Sequence, residues 1–324
     1  MLLNRREERT LCGRLAYKRL NSLILMQTII PQDLGPQAFY RLLNSSVAPR
    51  PIAFVSTISK EGHVNLAPYS FFNIVGFNPP MLVFSPTLNR HGHKKHSLLN
   101  VEEVPEVTIN LVSYPMVEQT SLASAEFDRH VNEFEKAGFT AVQSERVRPP
   151  RVAEAPVAFE CVVRQLVPLG ENAGAGTMVL CEVVLAHFQD HIFGENRQID
   201  PHKIDLVGRL GADWYVRAND AALFEVSRPQ MGVGVDALPA SVRNSTILTG
   251  NDLGKLGSSK TLPTPDEINA YHQSAPMIAL RDEARFGCQY LPDLLHFRAK
   301  QLLAEGKVEE AWLVLSSPEF IRGI

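Results

Sequence analysis

Between residues 39 and 215 the chain is dominated by segments in which apolar and polar positions alternate. β-Branched and aromatic residues are frequent in them, which is typical of strands with a buried face. The segments are PIAFVSTIS (51–59), 63–73, MLVFSP (81–86), VTINLVS (107–113), VAFECVVRQLVPL (157–169) and TMVLCEVVLAHF (177–188). The pattern predicts a mainly β domain, with a glycine-rich hairpin loop at 170–176 between the last two strands.

Short helical patterns interrupt these strands. Pro36 opens QAFYRLLN at the position where a helix tolerates proline best. Apolar residues at spacings of three and four predict further helices in 96–104 and 116–124. Several strands with a few inserted helices favour a closed or nearly closed β-barrel over alternating βαβ units.

The composition changes after residue 227. Residues 228–263 are rich in Pro, Gly, Ser and Asn, which predicts an extended arm or linker. Within it, GNDLGKLGSSK (250–260) superficially resembles a phosphate-binding loop. Its glycine spacing is too short and Leu256 replaces the required Ser or Thr, so an ordinary loop is predicted. We therefore expect a β domain at 26–227 and an extension at 228–324.

Helical patterns fill the rest of this extension. Thr264 is predicted as an N-cap, followed by Pro265 at the first and Glu267 at the third helical position. Two further helices are predicted at 283–305 and 308–316. An apolar stripe on the first of these consists of Leu294, Leu295, Ala299, Leu302 and Leu303. Such a stripe favours packing on the barrel or on a partner subunit over ligand binding.

The first 25 residues form a basic leader with a short apolar patch. A secretory signal is disfavoured because the patch is short and no small-residue cleavage site follows. A mitochondrial transit peptide stays open, although Glu7 and Glu8 are unusual in one. Our preferred interpretation is a disordered or wrongly assigned leader, with translation starting at Met26.

Overall composition narrows the class of protein. A net charge of −3 offers no bulk attraction to nucleic acid or to an anionic membrane, and neither partner is expected. No run of 18 apolar residues predicts a membrane-spanning helix. The four cysteines are scattered without a CxxC pair, which favours reduced thiols and a cytoplasmic location.

Common catalytic and metal-binding patterns do not fit. GVGVDA (232–237) lacks the third glycine of a dinucleotide-binding turn. HGHKKH (91–96) has no nearby carboxylate or cysteine to complete a metal shell, so no metal is predicted. No GxSxG sequence supports a serine hydrolase.

The informative stretch runs from residue 50 to residue 100, with later markers up to about residue 220. Its segments are RPIAFVST (50–57), NLAPYSFFN (65–73), PPMLVFSP (79–86), KKHSLLN (94–100), NEFEKAGFT (132–140), PPRVAEAPVAFEC (149–161) and DLVGRLGADWY (205–215). In this order they resemble the flavin reductase-like, FMN-binding split-barrel family, of which flavoredoxin is a member.

The resemblance implies a fold and an activity. The implied fold is a split β-barrel with inserted helices. The C-terminal helical extension, predicted above from its pattern, is not part of the family's common domain. The expected protein is a homodimer that binds FMN, accepts a hydride from NAD(P)H, and passes electrons to a small-molecule or protein acceptor. Two alternatives remain: a flavoredoxin-like electron carrier reduced by a protein partner, and a non-enzymatic flavin-binding or interaction module.

The strands supply candidate residues for the flavin ring. Pro68 removes a ladder donor and bends its strand, so neighbouring amides can turn towards a ligand. Tyr69 and either Phe71 or Phe72 can form the walls of a flat slot, with the other phenylalanine in the core. The resemblance implies that the VST and APYS strands line the flavin through Ser56, Thr57, Ala67, Pro68, Tyr69 and Ser70. The other predicted cofactor-binding positions here are Arg50, Phe72 and Asn73.

The segment SPTLNRHGHKKHSLLN (85–100) offers cations and hydroxyls just before a helical pattern, as a phosphate requires. The predicted phosphate-binding residues are Ser85, Thr87, Arg90, Lys94, Lys95 and Ser97. A solvated basic surface is the alternative. The family's usual Lys-Asp-Thr-like triplet is replaced here by Lys95, His96 and Ser97, which puts the helix cap in doubt.

No strong general base is predicted, because hydride transfer to a flavin does not require one. Arg209 is the one catalytic candidate, and it is expected either near the nicotinamide or in a structural ion pair.

Overall fold

The computed structural model describes residues 26–287 and 290–316. The predicted leader at 1–25 and the cysteines Cys12 and Cys288 lie outside the described residues. The chain divides into two compact units, Met1–Phe224 and Glu225–Ile324. We describe each unit by itself.

The first unit is built around one antiparallel sheet. Its strands are β1 (Ala53–Ile58), β2 (Val64–Tyr69), β3 (Phe72–Phe77), β4 (Pro80–Phe84), β5 (Glu106–Leu111), β8 (Val157–Pro168) and β9 (Thr177–Phe188). They lie in the order β2-β1-β5-β8-β9-β4-β3. Two short ribbons pair β6 (Ala141–Val142) with β7 (Arg151–Val152) and β10 (Val207–Arg209) with β11 (Tyr215–Arg217). The mainly β prediction is confirmed.

The sheet is not closed, so the expectation of a closed or nearly closed barrel is corrected. Its two edges are β2 and β3, which are consecutive in sequence and do not pair with each other. Part of the reason lies in the backbone donors. Leu66 N–H donates to Glu133 Oε2 at 2.9 Å, Pro68 has no N–H, and Ile74 N–H donates to Asn73 Oδ1 at 2.8 Å. These positions therefore have no free donor for a closing ladder.

Strand β1, which lies next to the edge strand β2, is buried on both faces. Ala53 and Val55 pack into one apolar cluster with Phe84 and Ile109. Phe54, between them, packs into a second cluster with Phe134 and other residues. The period of two along a strand produces this division, and layers on both sides of the sheet hold the core.

Short helices decorate the sheet. They are α1 (Pro31–Leu34), α2 (Pro36–Ser46), α3 (His96–Glu103), α4 (Val117–Leu122), α5 (Glu133–Ala137) and α6 (Pro201–Ile204), with 3-10 turns at Tyr114–Met116, Asp190–Ile192 and Asp220–Ala222. The predicted helices opened by Pro36 and inside 96–104 and 116–124 are confirmed.

The second unit is helical. After a 3-10 turn at Val235–Ala237 it contains α7 (Ala240–Arg243), α8 (Gly250–Gly257), α9 (Pro265–His272), α10 (Ala275–Phe286), α11 (Leu291–Ala304) and α12 (Val308–Leu315). Thr264 caps α9 as predicted, in a capping box with Glu267.

Three predictions for this region are wrong. Residues 228–263 are not only an arm, because Leu238, Val242 and Leu256 from this stretch are buried in the core of the helical unit. The predicted loop at 250–260 contains α8, which starts at a capping box of Thr249 and Asp252. The single helix predicted at 283–305 is divided between α10 and α11, since Pro292 is tolerated only near a helix start.

The apolar stripe of α11 packs inside this unit. Leu295, Ala299, Leu302 and Leu303 are buried with Trp312 of α12. The stripe therefore closes a helical core of its own, rather than requiring the sheet or a partner subunit. Among the described residues, no helix is long and apolar enough to cross a membrane.

Candidate functional site

Two cavities of the first unit bring together the two segments singled out from the sequence. The larger, of about 400 Å³, is lined by Pro68 and Tyr69 of β2 and by Lys94 and Lys95 from the segment before α3. The smaller, of about 200 Å³, is lined by Tyr40, Phe71, Ser85 and Thr87, among others. Pro68, Tyr69 and Lys95 line both. The end of β2 and the basic segment therefore border the same two neighbouring cavities.

Helix α3 supports the wall of this site through buried polar side chains. Ser97 Oγ accepts hydrogen bonds from Tyr69 Oη at 2.8 Å and from Asn65 Nδ2 at 3.1 Å. One turn later, Asn100 Nδ2 donates to Thr57 Oγ1 at 3.1 Å. Because residues three apart lie on one helix face, α3 connects both β1 and β2. The arrangement holds Tyr69 against the cavity.

Tyr69 stays neutral at ordinary pH. Burial raises the pKa of its phenol to about 12, and the nearby Glu133 carboxyl also raises it, against the lowering effect of the Ser97 hydrogen bond. Its ring packs against Phe84, with centroids 5.3 Å apart. The residue thus offers an aromatic wall with a fixed, uncharged hydroxyl.

The two lysines form ion pairs at the mouth of the site. Lys94 Nζ lies 2.6 Å from Glu102 Oε1, and Lys95 Nζ lies 3.3 Å from Glu126 Oε1. Exposed pairs of this kind contribute only about 0–1 kcal/mol, so an anionic ligand can replace a carboxylate partner.

More than half of the predicted cofactor-binding residues border the cavities. These are Ala67, Pro68, Tyr69, Ser70, Ser85, Thr87, Lys94 and Lys95. Ser97 and Thr57 are buried behind them and act on the wall through the hydrogen bonds of α3. Ser56 is buried on the other face of β1, and its hydroxyl has no partner among the described residues.

Three of the predicted cofactor-binding residues, Phe72, Asn73 and Arg90, line neither cavity. Phe71 lines the smaller cavity, whereas Phe72 packs against the apolar core. Asn73 is exposed and uses its amide oxygen to accept the N–H of Ile74. Arg90 is exposed and contacts His91 at 3.1 Å.

Two of the three candidate arginines, Arg50 and Arg209, donate hydrogen bonds to backbone carbonyls. Arg50 is buried, and its guanidinium donates to the carbonyls of Asn44, Val47 and Leu210, the last at 2.9 Å, and reaches Ser70 Oγ at 3.4 Å. It therefore supports the end of β2 from behind.

Arg209 does not border either cavity. It donates to Ala212 O at 2.7 Å and stacks over the Tyr215 ring at 4.5 Å from the centroid. Neither contact is an ion pair.

Sequence reasoning missed several residues of the larger cavity. Asn65 lies two and four positions before Ala67 and Tyr69, so the period of two along β2 could have found it. His96 was not among the predicted cofactor-binding residues, yet it lines the cavity, and burial lowers its pKa. Residues 123–128, between α4 and α5, carried no signal, because a loop's position depends on the tertiary fold.

Glu133 is the other missed residue. It opens α5 within the segment NEFEKAGFT, is only 5% exposed, and lines the larger cavity. Burial raises the pKa of its carboxyl, and hydrogen bonds from Leu66 N–H and its own N–H oppose that effect. Among the described residues, no group of three His, Cys, Asp or Glu side chains could hold a metal ion.

Comparisons with known proteins cover the first unit. Residues 45–201 match the family model described as "Flavin reductase like domain". The crystal structure of nitrilotriacetate monooxygenase component B from Bacillus cereus is 31% identical, with 62% of this chain and 99% of that chain covered and a TM-score of 0.59.

Two further crystal structures extend the likeness. The 2-nitrobenzoate 2-nitroreductase from Pseudomonas fluorescens is 30% identical, covering 62% of this chain and 96% of that chain, with a TM-score of 0.55. A putative flavin reductase with a split barrel domain from Shewanella frigidimarina is 23% identical, covers 62% of this chain and 100% of that chain, and has a TM-score of 0.53. This last likeness supports a split-barrel fold.

The Ser97 hydrogen bonds generate a first prediction. Ser97→Ala removes the acceptor of Tyr69 and Asn65, and we expect it to lower the free energy of unfolding by about 1–3 kcal/mol. Chemical denaturation measures this change. Ser121→Ala, at an exposed position of α4, is the control and should change stability by less than about 0.5 kcal/mol. Equal effects of the two substitutions would contradict a supporting role for Ser97.

Proposed function

The chain belongs to the flavin reductase-like family, and we propose that it is an oxidoreductase that binds FMN and transfers a hydride from NAD(P)H to the flavin. One observation carries the proposal. The end of β2 and the basic segment at 94–96, which are separated in sequence by β3 and β4, border the same pair of cavities. A single elongated ligand can therefore contact both.

The chemistry of the cavities suits such a ligand. The volume of the larger cavity, about 400 Å³, is in the range that small-molecule sites occupy, and the smaller cavity adds about 200 Å³ beside it. Pro68, Phe71 and Tyr69 offer apolar and aromatic surface for a planar ring. Lys95, Ser85 and Thr87 supply a cation and two hydroxyls for a phosphate. The residues present therefore fit FMN.

The protein's role in the reaction is to position the flavin. When bound, a flavin supplies the two-electron acceptor, and the chain does not need a strong acid–base pair of its own. Tyr69, fixed by Ser97, orients the ligand from one side, and the ion-paired lysines neutralise its anionic end. We propose a small-molecule or protein acceptor for the electrons. The scattered cysteines support a cytoplasmic location.

A spectroscopic titration tests the activity. The purified protein should bind FMN, and NADH or NADPH should bleach the bound flavin under anaerobic conditions. Stopped-flow absorbance measures the reduction. Flavin that binds but is reduced by neither nucleotide would favour the electron carrier that depends on a protein partner. A protein that binds no flavin would contradict the proposal.

Lys95 gives a sharper test of how the ligand is held. Lys95→Gln removes the cation shared by the two cavities, and we expect about tenfold weaker binding of FMN but little change for riboflavin, which lacks the phosphate. Fluorescence titration with both ligands measures the difference. Lys136→Gln, at an exposed position of α5, is the matched control. An equal loss for both ligands would place the phosphate elsewhere.

We also propose that the protein is a homodimer. Strand β3 exposes apolar side chains on an outer edge of the sheet, with Ile74 70% and Phe77 93% exposed. Large contiguous apolar surfaces of this kind are typical of protein interfaces. The exposed edge therefore supports a subunit contact that includes β3.

A charged substitution tests this contact. Phe77→Asp should shift the protein from dimer to monomer, because a carboxylate is costly to bury in an apolar interface. Analytical ultracentrifugation measures the mass. Leu169→Asp, an exposed apolar position at the far end of β8, should leave the mass unchanged. A dimer of unchanged affinity with Asp at position 77 would exclude β3 from the interface.

A further inference from the structure

Two buried glutamates of the first unit differ in how they are satisfied. Glu160 accepts hydrogen bonds from the N–H groups of Glu145, Arg146 and Val147 at 2.6–3.2 Å, and contacts His187 Nε2 at 2.7 Å. Burial by itself raises the pKa of Glu160, but these partners outweigh it and the pKa is lowered. Glu160 is therefore a buried carboxylate whose charge is stabilised by hydrogen bonds from the protein.

Glu133 has far fewer partners. Beyond its own backbone N–H, the partner of its carboxyl among the described residues is Leu66 N–H, at 2.9 Å from Oε2. In contrast to Glu160, burial dominates, and the pKa of Glu133 is raised. A buried carboxylate with so few donors is costly, and a protonated carboxyl avoids that cost.

The charged and titratable groups around Glu133 do not neutralise it by contact. The cavity is also lined by Tyr69 of β2, by Lys94 and Lys95 before α3, by His96 at its start, and by Glu126 and Asp128 before α5. Glu135 and Lys136 follow on α5 itself. Both lysines are paired with other carboxylates. No ion pair to Glu133 occurs in the described parts of the chain. The site thus contains a carboxyl without a cation.

We propose that Glu133 is a binding residue of the cavity that must carry a proton when flavin occupies it, so that flavin binding takes up one proton. This inference rests on the proposed function. Filling the cavity with a planar ring displaces the water that solvates an ionised carboxylate. An anionic phosphate at Lys95 also repels a second negative charge. Below its pKa the neutral carboxyl avoids both costs and can donate a hydrogen bond into the cavity.

Proton uptake is the direct measurement. Isothermal titration calorimetry of the full-length protein with FMN, in two buffers of different ionisation enthalpy, counts protons taken up per flavin. Above the pKa of Glu133, the count should approach one, and the affinity should fall by up to about tenfold per pH unit. Riboflavin, which has no titrating phosphate, should show the same dependence.

Matched variants assign the proton. Glu133→Gln should lower the uptake by about one proton per flavin and remove the corresponding part of the pH dependence of flavin affinity, while Glu135→Gln, exposed on the same helix, should behave like wild type. His96 and the FMN phosphate titrate in all of these proteins, so their contributions cancel in the comparison. Equal uptake by wild type and Glu133→Gln, or none by wild type, overturns the inference while flavin binding stands. Absence of flavin binding at every pH contradicts the proposed function instead.

A second measurement uses only the wild-type protein, and it tests the inference even where Glu133→Gln does not fold. Infrared difference spectra of the wild-type protein with and without riboflavin should show a gain of protonated carboxyl absorption above the pKa of Glu133. Spectra without that gain would equally overturn the inference.

Discussion

The architecture of the site depends on how the hydrogen-bond ladder ends at β2. Leu66 N–H is taken by Glu133, and Pro68 has no N–H to give. The strand therefore cannot continue the sheet towards β3, although β3 follows it after two residues. The open edge at β2 leaves space for a ligand where a closed barrel would have placed side chains.

Polar groups behind this edge give the space its shape. Ser97 accepts hydrogen bonds from Tyr69 and Asn65, and Asn100 donates one to Thr57. In addition, Arg50 donates a hydrogen bond to Ser70. Each is buried, so each must be satisfied, and that requirement limits the positions of α3 and β2 relative to each other. The same helix starts at the basic segment, so the aromatic wall and the cations are set by one element. A fixed aromatic wall beside two partly exposed, ion-paired lysines suits the binding of an elongated anion.

The sequence predicted local structure well where local physics decides it. The helix opened by Pro36, the N-cap at Thr264 and the strands around 51–59 and 157–188 depend on proline geometry, capping and a period of two. It failed where packing decides. Leu238, Val242 and Leu256 lie in a Gly- and Asn-rich stretch that resembles a linker, yet they are buried in the helical unit. Likewise, neither the open edge between β2 and β3 nor the cavity position of Glu133 has a local signature.

Residues and their order were enough to indicate the flavin reductase-like family, a mainly β domain and the two segments that border the cavities. They were enough because strand alternation, proline and clustered cations act over a few residues. Tertiary structure alone decided that Phe71 rather than Phe72 lines a cavity, that Arg50 and Arg209 serve backbone carbonyls, and that Glu133 is buried with little compensation. Those outcomes depend on neighbours distant in sequence, and burial and hydrogen-bond partners exist only once the chain is folded.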